Sequence, residues 1–361
     1  MNLGNYNYLL PEKNLALSPA SSRDSSKLFV YYTKTDKIVF DHFYNLDKYL
    51  PNDSFLVLNN TKVLPARVEM KKETGGKVMI LFLINELTSS RVVKVMADRK
   101  VNVGDFLYFD KESYLKVISQ KEHIFELKFD FSREKLFSLL KKYGTMPIPL
   151  YLRKTPLKRD ELLEKYQTIF ARYEGSSAAP TASLHFTEKV FRKIKNKGIE
   201  KYFITLHVGL GTFAPLTEQN LTTKKLHEEY YEINSELLQR LKTLKSEGKK
   251  LVAVGTTVVR TLESEARYQD FLSQRGPYPE SEKNLVSSPL KKTSLFIFPP
   301  FDFKMVDILI TNFHLPKSSL MMLVEAFLQH KKAERSLVEL YNIAIKNNFR
   351  FYSFGDSMLI L

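Results

Sequence analysis

Three short apolar runs limit the architectures open to this chain. Phe55–Leu58, Tyr202–Leu206 and Leu251–Val254 are too brief for helices, and each runs into small or polar residues. Runs of this kind read as strands buried on both faces, with loops at their C-terminal ends. Helical periodicity follows. Val258, Val259, Leu262 and Ala266 share one face of a helix predicted over Val258–Arg267, and a second is predicted over Ser319–Gln329. Glu188–Lys197 is predicted as a helix with a very basic outer face. Buried strands alternating with helices predict an α/β class, a three-layer α/β domain.

The pattern changes between about residues 67 and 130. Val78–Ile84, Val92–Met96, Phe106–Phe109, Tyr114–Ile118 and Ile124–Phe129 are short β-rich runs separated by turn residues such as Gly75-Gly76 and Asp110-Lys111. Short strands at this spacing predict a small antiparallel β-barrel. Ser132–Tyr143 is predicted as a helix capped by Gly144, and Met146-Pro147-Ile148-Pro149 as a stiff linker. Because α/β patterns lie on both sides, the barrel is an inserted domain. The boundaries expected are 1–66 and 147–361 for the α/β domain and 67–146 for the barrel. A chain of 361 residues also favours two domains. Tyr268 to Lys292 is polar, contains Gly276, Pro277, Pro279 and Pro289, and reads as a surface loop.

Composition removes several chemistries. There is no Cys, hence no disulfide, zinc–cysteine site, iron–sulfur cluster or thiol nucleophile. No HExxH and no Gly-x-Ser-x-Gly occur, so neither a metal site nor a nucleophile elbow is expected. No apolar run approaches the roughly 20 residues of a membrane span. Met1 to Leu10 has no basic residue and no long apolar core, which predicts no secretory signal and a cytoplasmic location. A net charge of +15 points to a polyanionic partner. Lys141, Lys142, Arg153, Lys154, Lys158 and Arg159 cluster around Tyr143 and Tyr151 with no acid between them. Cations interleaved with aromatics suit phosphates and stacked bases, although a solvated face has the same composition.

Candidate chemistry lies in the loops. Gly175 to Thr187 packs small residues, Pro180, Thr181 and His185 into a segment without regular apolar period, where a backbone can approach a ligand closely. His207, Gly209, Gly211 and Thr212 follow one predicted strand. Gly255, Thr256 and Thr257 follow another and open a helix. Ligands of open α/β sheets bind at such strand ends, and helix N-termini favour carboxylates. Arg260, one turn into that helix, suits a carboxylate ligand or an ion pair with Glu263. Asn312 and His314 repeat the pattern after Ile308–Ile310, and Arg23, Asp24, Ser25 and Ser26 form a further polar cluster. His185, His207, His227 and His314 are in or beside these loops, and imidazole is the usual proton carrier near neutral pH. The segments around His185, His207, Gly255 and His314 are expected to converge on one cleft.

Together these segments resemble one family, the S-adenosylmethionine:tRNA ribosyltransferase-isomerases of queuosine biosynthesis. The resemblance runs almost end to end. It rests on Arg23-Asp24-Ser25-Ser26, Leu58-Asn59-Asn60-Thr61, Pro65-Ala66-Arg67, Glu73-Thr74-Gly75-Gly76-Lys77 and Tyr166-Gln167-Thr168. It continues through Ala178 to Ala182, Leu184 to Thr187, Thr205 to Thr212, Gly255-Thr256-Thr257, Val259 to Glu263, Ile310 to Pro316 and Ser353 to Ile360. The chain departs from the family pattern at Ser177, Ser183, Val258 and Pro300, where Val, Gly, Ser and Gly are usual, and at Leu17 in place of Gln.

The resemblance implies transfer of the ribosyl part of S-adenosylmethionine to 7-aminomethyl-7-deazaguanine in the wobble position of tRNA. Adenine and methionine leave and epoxyqueuosine forms. It implies a base for a ribose proton beside the sulfonium and for the amine, and an acid for adenine, with the four histidines and Glu228 as candidates. S-adenosylmethionine is then a consumed substrate, and no separate cofactor is expected. The expected partners are that tRNA and S-adenosylmethionine, with no membrane and a monomeric chain. Two other readings are a Rossmann-type S-adenosylmethionine-dependent methyltransferase and a non-catalytic tRNA-binding relative. The first should carry a fuller Gly-x-Gly-x-Gly turn, and the second leaves the uncharged loops without a purpose.

Overall fold

A computed structural model of the chain describes residues 2–84, 91–209, 216–275 and 290–361. The N-terminal part supplies β1 (Lys27–Tyr32), β2 (Lys37–His42), β3 (Ser54–Asn59) and β4 (Thr61–Val63). Next come β5 (Arg67–Lys72), β6 (Lys77–Phe82), β7 (Val92–Ala97), β8 (Phe106–Tyr108), β9 (Tyr114–Lys121) and β10 (Ile124–Lys128), then helix α1 (Arg133–Tyr143). The rest contributes α2 (Arg159–Lys165), β11 (Tyr173–Ser176), α3 (Glu188–Asn196), β12 (Glu200–His207), α4 (Glu218–Thr223) and β13 (Lys225–Glu232). It ends with α5 (Ser235–Ser246), β14 (Lys250–Val254), α6 (Thr256–Arg275), β15 (Leu290–Leu295), β16 (Ile308–Asn312), α7 (Ser319–His330), α8 (Leu337–Lys346) and β17 (Ser357–Ile360).

The main sheet has nine strands in the order β15-β13-β12-β3-β14-β16-β17-β1-β2. Its centre, β12-β3-β14-β16, is parallel. The flanks are antiparallel to this centre at β12–β13 and β16–β17. Alternate side chains feed two cores, as the period of two requires. Phe29, Phe55, Val57, Ala253 and Leu309 pack with α5, α6, α7 and α8. Leu28, Leu56, Leu58, Val252 and Ile310 pack with Phe43, Leu46 and α3. Helical layers therefore cover both faces, which is why the strands read as unbroken apolar runs. Burying each such side chain contributes about 1.5–3 kcal/mol.

The inserted strands form a closed antiparallel barrel, β10-β7-β6-β5-β8-β9, around its own core of Val68, Met70, Ile80, Val95, Leu115 and Leu127. The strand β5 is absent from the apolar runs above. Its sequence Arg67-Val68-Glu69-Met70-Lys71-Lys72 alternates charge with two buried residues, a half-exposed strand and not a run. Gly144 caps α1, donating its N–H to Leu140 O, yet its φ is −82° and no left-handed turn occurs. Contact makes it glycine: a Cβ there would sit 1.8 Å from Pro65 O. Entry and exit of the barrel are stitched together by the Arg67–Thr145 bridge.

The loop expected over Tyr268–Lys292 is narrower than its composition suggested. Tyr268–Arg275 continues α6, and Leu290–Lys292 begins β15, paired with β13. Gly276, Pro277, Pro279 and Pro289 lie outside the described residues.

Candidate active site

The C-terminal ends of β3, β12, β14 and β16 share one edge of the sheet, as parallel strands must. Asn59 ties three of them. Its Oδ1 accepts the N–H of Thr61 and of Leu206, and its Nδ2 donates to Leu206 O and to Thr257 Oγ1. Gly255 turns with φ +94°, donates its N–H to Ile310 O, and would carry a Cβ 3.5 Å from Ala182. Thr256 then opens α6, and partly exposed Thr181 starts a single 3-10 turn beside it.

His185 is clamped on the α3 side of this edge. Asn312 donates its amide to Tyr352 O, which leaves Asn312 Oδ1 for His185 Nε2 at 3.3 Å. The Nε2 therefore carries the proton, and Nδ1 accepts from Ser26 Oγ at 2.8 Å. Burial pushes the His185 pKa down to about 4, so the ring is neutral at pH 7. The Arg23–Ser25 turn is built into the fold. Arg23 donates to the carbonyls of Gln167 and Glu164, and Asp24 accepts from Ser22 and from Thr187 Oγ1. Ser25 Oγ donates to Ser22 O. Arg23, Ser26, His185 and Gly355 line a shallow cleft.

His207 ends β12 on the same face of the sheet. Its Nδ1 lies 2.8 Å from Thr61 Oγ1, and Nε2 makes no hydrogen bond among the described residues. Burial, and secondarily the Arg133 guanidinium, pushes its pKa down to about 4. Gly175 presses on the ring so closely that a Cβ would fall 2.8 Å from it. A neutral imidazole with one open nitrogen at a strand end can accept a proton.

The remaining candidates separate. His314 follows β16, but its Nε2 is bonded to Thr311 Oγ1, its N–H donates to Tyr341, and its carbonyl accepts from Tyr8. Thr311, two residues beyond Leu309, shares with it the face covered by α7 and α8. His314 thus sits across the sheet from His185 and His207, and the expected single cleft does not include its imidazole. Burial alone pushes its pKa down to about 3. His227 is exposed, and Glu228 is 61% exposed and paired with Lys292. The buried carboxylate of this strand is Glu229, which accepts the Gly209 N–H at 2.9 Å and pairs with Arg260.

Arg260 does not bind Glu263. That buried carboxylate accepts three backbone N–H groups from Lys304, Met305 and Val306. Arg260 Nη2 is buried and has no partner among the described residues. Glu229 was legible in sequence: Tyr231 and Ile233 are its inward companions at spacing two. Gly211 and Thr212 lie outside the described residues. Of the departures from the family pattern, Val258 is core and Ser183 is buried, its hydroxyl without a partner among the described residues. Among the described residues no cluster of His, Asp and Glu could hold a metal ion.

The basic run divides as well. Lys142, Arg153, Lys154 and Lys158 are exposed, and Lys141 pairs with Glu174. Arg159 instead closes the C-terminus of α1, donating to Gly144 O at 2.9 Å and Lys141 O at 2.8 Å. Tyr143 donates to Asp110, and Tyr151 is bonded to Ser353 and packed on Tyr352. Neither ring is a free stacking platform.

A family model described as queuosine biosynthesis protein matches residues 3–360. The S-adenosylmethionine:tRNA ribosyltransferase-isomerases of Thermosipho melanesiensis and Carboxydothermus hydrogenoformans are 42% and 41% identical, each over 100% of both chains. A crystal structure of S-adenosylmethionine tRNA ribosyltransferase from Thermotoga maritima is 31% identical. It superposes with a TM-score of 0.51 over 99% of each chain.

Proposed function

The chain belongs to the queuosine biosynthesis protein family, and from that premise we propose that it transfers and isomerises the ribosyl moiety of S-adenosylmethionine onto tRNA. The acceptor is 7-aminomethyl-7-deazaguanine at the wobble position, the products are epoxyqueuosine-tRNA, adenine and methionine, and the chain is a transferase. The observation that carries this is the family match from residue 3 to residue 360. S-adenosylmethionine is consumed, so the reaction needs no further cofactor. The chain works as a monomer in the cytoplasm. Among the described residues no helix is long and apolar enough to cross a membrane.

The geometry favours His207 as the proton acceptor. Its ring is neutral at pH 7, and its open Nε2 faces away from Thr61. Removing the proton beside the sulfonium needs a base with a free nitrogen, which the lowered pKa keeps unprotonated at the cost of basicity, and the departing adenine needs a proton returned. His185, with both nitrogens occupied by Ser26 and Asn312, holds the loop that carries Thr181 and does not shuttle protons. The unpartnered Nη2 of Arg260 suits the methionine carboxylate, with Glu229 fixing the guanidinium. Gly209, Gly255, Thr256 and Thr257 offer close-approaching backbone and hydroxyls to the same ligand, a role the sequence also assigns to Gly211 and Thr212. Lys142, Arg153, Lys154 and Lys158 offer charge to tRNA phosphates.

The test is mass spectrometry of tRNA from a strain that lacks its own ribosyltransferase-isomerase and expresses this chain. Epoxyqueuosine or queuosine should appear at the wobble position. Methylated tRNA without it would favour a methyltransferase. An unchanged precursor together with tightly bound tRNA would favour a non-catalytic relative.

A further inference from the structure

The ribbon formed by β4 and β11 lies between the barrel and the main sheet and pairs Glu174 with Lys62 and Tyr173 with Thr61. One face of this ribbon carries Thr61, whose hydroxyl meets His207, and Tyr173, which is 45% exposed. Arg172 stacks over Tyr173 at 5.2 Å. On the other face Glu174 draws in Lys62 at 3.2 Å and Lys141 of α1 at 2.8 Å. Both lysines stay open to solvent, with side chains 42% and 52% exposed.

Arg133, in the first turn of α1, is near enough to influence His207 and stacks on Phe137 at 5.1 Å. A cation at the positive end of a helix opposes the helix dipole, so helix stability does not account for it. Two lysines thus converge on one carboxylate on one face of the ribbon, while Arg172 and the exposed ring of Tyr173 lie on the face that carries Thr61, with Arg133 near His207. Solvated lysines need no such convergence, and an exposed tyrosine under an arginine is the arrangement that grips an unstacked base.

We propose that this ribbon is the docking surface for the unpaired strand of the tRNA substrate. Tyr173 stacks a base beside the His207 site, and Lys62, Lys141, Arg133 and Arg172 take the adjoining phosphates. Glu174 holds the two lysines in place until phosphate oxygens replace it. The proposal rests on the ribosyl-transfer reading, since it supplies the RNA end of the same site. It moves the main RNA contact away from the Arg153–Arg159 stretch and toward the junction of the two domains.

The test uses the full chain and a stem–loop of the tRNA anticodon arm carrying 7-aminomethyl-7-deazaguanine, with an RNA duplex of equal length for comparison. Affinity is read by fluorescence anisotropy across a salt series, and folding by thermal melting. Tyr173→Ala should weaken stem–loop binding between about five- and a hundred-fold, as loss of one base–aromatic stack does, and leave duplex binding unchanged. Lys62→Gln with Lys141→Gln should flatten the salt slope for the loop by about 1.4, the release expected from two single-strand phosphates. Glu174→Gln should bind RNA more tightly, because the competing carboxylate is gone.

Equal stem–loop affinity in wild type and Tyr173→Ala, or weaker binding by Glu174→Gln at an unchanged melting temperature, overturns the proposal. If the wild-type chain binds no tRNA at low salt, the functional reading itself fails. These two failures are therefore distinguishable.

Discussion

Replacing Gly175 with Ala tests whether His207 is held as tightly as the site requires. The added Cβ would fall 2.8 Å from the Cε1 and Nδ1 atoms of the ring. Non-bonded carbon atoms settle near 3.5–4.0 Å, so the ring or the strand must yield by roughly 0.7 Å or more. The Thr61–His207 hydrogen bond at 2.8 Å then stretches to about 3.5 Å, where it no longer counts as one. Overpacking of this kind costs about 1–3 kcal/mol, part of it the lost hydrogen bond. Displacing a reacting group by about 1 Å costs on the order of a hundred-fold in rate.

The expected result is a melting temperature lower by a few degrees and a kcat for epoxyqueuosine formation, measured by mass spectrometry, reduced by about a hundred-fold. Gly76→Ala is the control, since the nearest atom to its added Cβ is 3.7 Å away and stability should change by less than about 0.5 kcal/mol. In the double variant Gly175→Ala with His207→Asn, the smaller side chain should recover the stability lost to the ring contact, though not that lost to Ala at φ +157°, and should not recover turnover. Full activity and an unchanged melting temperature in Gly175→Ala would refute the close packing and the role assigned to His207.

Three further outcomes follow from the same geometry. Unfolded histidine binds a proton below its ordinary pKa of 6.5, whereas buried His185 does so only near 4, so stability falls as pH drops through that window. The loss is at most about 3 kcal/mol for this ring, and melting curves from pH 7 to pH 4 should be flatter in His185→Asn. Glu228→Gln should shift stability by less than about 0.5 kcal/mol because that side chain is in solvent, while Glu229→Gln leaves buried Arg260 unpaired and should cost about 3 kcal/mol or more, read by urea denaturation. Arg159→Ser should lower the melting temperature, at about 1 kcal/mol for the lost carbonyl contacts, whereas Arg153→Ser and Lys154→Ser should not.

Local pattern was enough for the α/β class and for the inserted barrel. Apolar runs such as Leu251–Val254 read as strands covered on both sides, the short runs after residue 77 suggest a small barrel, and both are found. The loops that hold Gly209, Gly255 and Asn312 were legible too, because strand ends announce themselves by a change from apolar to small and polar residues.

Partner choice was not legible. Parity with Tyr231 and Ile233 marks Glu229 as the buried member of the Glu228–Glu229 pair, but nothing in the sequence marks Arg260 as its partner. Arg159 reads as one cation among six, but the C-terminal carbonyls of α1, brought beside it by the chain's return from the barrel, make it a cap. His207 ends a buried strand and His314 follows one, and it is the turn bonding His314 Nε2 to Thr311 Oγ1, not strand parity, that carries the His314 ring to the other face of the sheet. A sequence carries periodicity and composition, which select elements and their buried sides. Which hydrogen bond a polar side chain makes depends on groups often more than a hundred residues away, and only the packed sheet brings those into reach.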